Sequence, residues 1–106
     1  MVHDPKWTRT AAEARARGDF MFAFSVEYVA ARNAPSASVL QEQHFANALE
    51  LIDCINKIDH RLALFQTRLI IKYAPQASDI QKKAEKKEAI LMRKHVVHRS
   101  TPHPEP

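Results

Sequence analysis

Glycine occurs once in this sequence, at Gly18, and cysteine once, at Cys54. A loop that cradles phosphate needs several glycines to bring backbone N–H groups against the ligand, and none is present. Nucleophile elbows, paired catalytic carboxylates and zinc-finger spacings are missing as well, which argues against an enzyme. One cysteine cannot close an intramolecular disulfide, and the opening MVHDPKWTRT has no apolar export region, so a cytoplasmic protein is expected. No apolar run approaches the ~20 residues that cross a bilayer. Neither a membrane partner, a cofactor nor a small-molecule substrate is expected.

What is present reads as helix. The 106 residues are 45% apolar and 26% charged, enough for one domain with a modest core. Residues 36–74 contain neither Gly nor Pro, apart from Pro-bounded ends, and predict one long central helix of ~55 Å. That exceeds a compact fold whose radius of gyration would be ~13 Å. On a helical wheel Phe45, Ala48, Leu51, Ile52, Ile55, Ile58, Leu62, Phe65, Leu69, Ile70 and Tyr73 cover roughly half the circumference. The apolar line drifts at Ile52, Ile55 and Ile58, two successive steps of three, so the two halves of the rod should face different neighbours.

Around this rod the remaining elements follow from caps and breakers. Residues 1–7 predict an irregular lead-in, and Thr10 with Glu13 a capping box, so a helix is expected over 8–17. Gly18 can end it and Asp19 can cap a successor over 19–33. Within that stretch Phe20, Phe22, Phe24, Val26 and Tyr28 alternate as in a strand. No second strand is available to pair with, so helix is preferred, with Phe20, Ala23, Phe24, Glu27, Tyr28 and Ala31 on one face.

Trp7, Ala11, Ala14, Gly18-Asp19-Phe20, Ala23, Ala30 and Pro35 fall at spacings that resemble one unit of a tetratricopeptide repeat. The resemblance spans residues 7–35 and implies a helical hairpin. It departs from the family at Glu27, where an aromatic is usual, and no further unit of that pattern is legible downstream. A separate likeness is internal: APSASVLQ at 34–41 returns as APQASDIQ at 74–81. The favoured reading is one helix-starting device used twice, a Pro break followed by a Ser-x-x-Gln capping box; a duplicated two-helix unit is the alternative. The last helix is expected over 77–98, and 100–106, with three prolines, is expected to be a disordered tail.

The sequence therefore predicts an all-α, elongated three- to four-helix bundle in a single domain over 1–99. Its expected role is non-catalytic: an adaptor, inhibitor or regulator that binds a partner protein or forms a homodimer. The residues expected to carry that contact are Phe45, Ile52, Leu62, Phe65 and Leu69 of the rod and Ile90, Leu91, Val96 and Val97 near the end of the chain.

Two other readings compete. Between residues 78 and 101 seven cations face three acids, which accounts for the whole net charge of +4. Lys82, Lys83, Lys86, Lys87, Arg93, Lys94 and Arg99 could neutralise phosphates of a nucleic acid, although no aromatic residue is interleaved among them. Arg93 followed by His98 is similar to the R-x4-H signature of helical HEPN-type ribonucleases. That resemblance would make Arg93 a phosphate contact and His98 a general acid–base, with Lys94 standing where the family prefers Asn, Asp or His. His95 and His98 are three apart, a spacing able to chelate a metal, yet with no Cys nearby a solvated pair is expected. His44 and Cys54 on the rod are expected to be core residues.

Overall fold

Pro5 begins the first helix. A first helical position suits proline because the N–H it lacks would have no intrahelical partner there. The computed structural model describes residues 5–100, with side chains from 6 to 93; the Pro-rich tail expected after Ser100 lies outside the described residues. Five helices follow in order: α1 (Pro5–Ala16), α2 (Phe20–Asn33), α3 (Val39–Asn56), α4 (His60–Tyr73) and α5 (Asp79–Ser100). No strand occurs among the described residues, so the alternating stretch 20–29 is helix. The Thr10–Glu13 capping box is not formed, since α1 has already begun at Pro5 and Thr10 is inside it.

The expected rod over 36–74 is corrected by the structure. It breaks at 57–59 into α3 and α4, which pack against each other. Asp59 adopts an extended backbone (φ −149°, ψ 99°) and its side chain accepts from the Leu62 N–H at 3.1 Å. The end of α3 tightens just before it, with the N–H groups of Ile58 and Asp59 both donating to the Ile55 carbonyl at 2.9 and 2.8 Å. A cap can therefore replace Gly or Pro as the breaker. The first hairpin uses glycine instead. Gly18 (φ 82°) donates to the Arg15 carbonyl and Asp19 to the Ala14 carbonyl, a left-handed closure that L residues resist.

Turns and caps repeat at an interval of forty. Asp19 and Asp59 cap α2 and α4, which have the same length of 14 residues. Ala37 and Ala77 take matching left-handed conformations, φ 59° and 64°. Ser38 and Ser78 accept from the N–H groups of Gln41 and Gln81 at 3.0 and 3.1 Å. The hairpin α1–α2 implied by the tetratricopeptide likeness is thus followed by a second hairpin, α3–α4, and then by α5 in the place of a third first-helix. The alternative reading of a duplicated two-helix unit matches this arrangement better than a device merely used twice.

Helix α3 is the centre. It packs against α2, α4 and α5, while α1 flanks α2. Its Phe45, Ala48, Leu51, Ile52 and Ile55 are all but inaccessible, and Ala63 and Ile70 of α4 close over them. Burying side chains of this size stabilises by about 1.5–3 kcal/mol each. The Cα trace measures 59 × 34 × 13 Å with a radius of gyration of 15.2 Å, longer than a sphere of the same chain would be.

Candidate interaction surface

Helices α2 and α4 both pack on α3 and meet each other at Tyr28 and Tyr73, and positions forty residues apart on them carry related side chains. Position 22/62 is Phe22 and Leu62, position 29/69 is Val29 and Leu69, and position 32/72 is Arg32 and Lys72. Phe22 is 45% exposed, Val29 47% and Phe65 58%, whereas Leu62 and Leu69 are half-buried. Between the helices the Tyr28 and Tyr73 rings meet edge to face, 6.2 Å between centroids, and the Arg32 guanidinium sits 3.8 Å from the Tyr73 centroid. Burial pushes the Tyr28 phenol above its ordinary pKa, opposed by the positive charge of Arg32.

Charge on this layer has one sign. Residues 20–33 and 60–73 contain a single acid, Glu27, and four cations, Arg32, Arg61, Arg68 and Lys72. Glu27 faces inward, its side chain 8% exposed, with Oε1 2.7 Å from His44 Nδ1 and Oε2 accepting from Asn47 at 3.2 Å. Arg68 is engaged with Glu88 at 2.8 Å, Arg32 and Lys72 are exposed over the Tyr73 ring, and Arg61 is exposed near the start of α4.

Toward α1 the outer face of α2 deepens into a groove of about 310 Å³ lined by Trp7, Thr10, Phe22, Ser25, Val26 and Val29. Sequence reasoning placed Phe20, Ala23, Phe24, Glu27, Tyr28 and Ala31 on one face of α2, and the structure makes it the core face, with four of these buried and the other two half-buried. It did not single out the groove. The available signal was the second apolar line, Phe22, Val26 and Val29, spaced four and then three on the same helix.

The residues expected to carry a protein contact divide. Phe45 and Ile52 are 0% exposed and Leu91 is 4%, so all three belong to the core of this chain and are corrected as interaction residues. The rod that should have left them open folds back and covers them. Phe65 and Ile90 remain open, at 58% and 43%, while Val96 and Val97 lie outside the described side chains.

Of the basic residues, Lys82, Lys83 and Lys86 are exposed. Lys87 donates to Asp53 of α3 at 2.6 Å, and a cleft of about 230 Å³ places Lys83 and Lys87 with Glu50 and Asp53. The lysine run thus shares its surface with acids. Arg93 is exposed, and Lys94, Arg99, His95 and His98 lie outside the described side chains, and with His98 so does the ribonuclease-like pair. Among the described residues no group of three or more His, Cys, Asp or Glu side chains converges to hold a metal, and no helix is long and apolar enough to cross a membrane. His44 is buried and hydrogen-bonded as expected, and Cys54 is half-buried at the core edge.

No family profile matches this chain, and neither the curated proteins nor the solved structures include a significant match to it.

Proposed function

We propose that this chain is a non-catalytic helical module that binds a protein, a partner or a second copy of itself, through the outer face of α2 and α4. The observation that supports the reading is the open apolar line that survives after the rod has folded back. Phe22, Val29 and Phe65 are each close to half exposed or more, although a buried core is available directly beneath them. Large apolar side chains grouped on one face and rimmed by cations characterise interaction surfaces. Its regulatory role as adaptor or inhibitor, its cytoplasmic setting and its lack of catalysis are parts of the same proposal.

A photo-cross-linking residue placed at Phe65 should yield a discrete protein adduct in extract of the native host, and the same residue at exposed Gln43 of α3 should not. Adducts of equal yield at both positions, or none at Phe65, would remove the proposal. The lysines of α5 are the nucleic-acid alternative. Its signature is a steep loss of binding with salt, because phosphate contacts release counterions and apolar contacts do not.

A further inference from the structure

We propose that the α1–α2 groove and the adjoining face of α2 and α4 dock an acidic amphipathic helix of a partner protein. This rests on the protein-binding reading above and adds the chemistry of the occupant.

Shape and charge point the same way. The groove is lined by Trp7, Phe22, Val26 and Val29 with only Thr10 and Ser25 as polar members, which suits the apolar stripe of a helix laid lengthwise. On α2 itself Arg32 is exposed three residues beyond Val29, exposed Lys72 of α4 shares the Tyr73 ring with it, and the one acid within α2 and α4 is turned into the core. An occupant with glutamates along the flank of its stripe gains charge-assisted contacts with Arg32 and Lys72, and one with lysines meets their like charge. The exposed cation at 32 and its counterpart at 72 lie on neighbouring helices across the Tyr28–Tyr73 contact. A partner helix seated on α2 therefore meets Arg32 on the Tyr73 side and the Trp7 ring on the α1 side. Nucleic acid fits less well, since no cation is among the residues that line the groove.

Trp7 is the only tryptophan of the chain and lines the groove, so its emission reports occupancy directly. The intact protein is titrated with a synthetic helix carrying leucines at i, i+3, i+4 and i+7 and glutamates at the flanks. The same helix with lysines for glutamates, and phosphatidylserine vesicles, are titrated in parallel. The expected result is a saturable blue shift with the glutamate helix, weakened by salt, and affinity for the lysine helix lower by about tenfold or more. Val29→Asp should abolish the shift, Arg32→Glu with Lys72→Glu should invert the preference between the two helices, and Val39→Asp, on an 83% exposed residue of α3, should change neither. Circular dichroism confirms that each variant is folded. Equal or stronger binding of the lysine helix, no saturable shift with the glutamate helix, or a shift with vesicles alone overturns the proposal. If cross-linking at Phe65 persists in that event, only the acidic helix is lost and the protein-binding reading stands.

Discussion

Gln41 holds the junction between α2 and α3 with both ends of its side chain. Its Nε2 donates to the Ala31 carbonyl at 3.1 Å, and its Oε1 accepts from the Ala37 N–H at 2.8 Å. A simple capping box would have used the Ser38 N–H, but that group already donates to the Pro35 carbonyl at 3.1 Å, so the glutamine reaches one residue further back. Gln81 reproduces the arrangement with Ile71 and Ala77, at 3.0 and 2.7 Å. The difference between the copies is burial: Gln41 is 7% exposed, and Gln81 is half-buried. Gln41→Ala takes a buried donor from the Ala31 carbonyl, which keeps only the longer bond from the Ala34 N–H at 3.3 Å, and should cost about 1–3 kcal/mol, whereas water can replace part of what Gln81→Ala removes. Thermal denaturation of the two variants should therefore rank Gln41→Ala as clearly the less stable. Equal melting temperatures would mean that the two turns are held by their left-handed alanines alone.

At the level of the helices, α2 and the starts of α3 and α5 were legible because they are written in caps, Asp19, Ser38 and Ser78. The break between α3 and α4 was not. Neither Gly nor Pro marks it, and Ile52, Ile55 and Ile58 prolong an apolar line that looks like a drifting seam. In the structure Ile58 is 64% exposed, so the drift was the trace of a helix ending, with Ile58 already outside it. Lys57-Ile58-Asp59 stands forty residues after Arg17-Gly18-Asp19, and that correspondence was the readable signal. The candidate surface was only partly legible, since Phe65 and Ile90 were found, but Phe22, Val26 and Val29 were hidden inside a stretch that reads equally as a strand. Folding back is favoured over a continuous rod because it buries Ile55 against Ala63 and Ile70 within one chain. Asp59 serves this as a cap rather than as its cause. Asp59→Ala should then lower stability by about 1 kcal/mol without raising helix content, as followed by far-ultraviolet circular dichroism during melting. A gain in helical signal with unchanged stability would show that the uninterrupted rod competes.

For the molecule as a whole, the two hairpins meet chiefly along α2 and α3, and a polar cluster sits inside that interface. Glu27, His44 and Asn47 are joined at 2.7 and 3.2 Å, with Glu27 6% and His44 2% exposed. Ion pairs elsewhere, Arg15–Glu50 and Lys87–Asp53, lie nearer the surface and contribute little by comparison. In an array of helical units each stacks only on its neighbours, so stability is a sum of unit terms and interface terms. Glu27 thus puts a hydrogen-bonded carboxylate inside an interface that is otherwise held by apolar packing. Removing its side chain takes the partner from a buried imidazole and from Asn47 at once, a loss of about 2–4 kcal/mol. Glu27→Ala should uncouple the array as well as weaken it. Hydrogen exchange should then show α1 and α2 opening before α3, α4 and α5, where the parent chain opens together. Uniform loss of protection in the variant would place the cooperativity of this fold in the shared apolar core of α3 and deny the cluster any role in joining the hairpins.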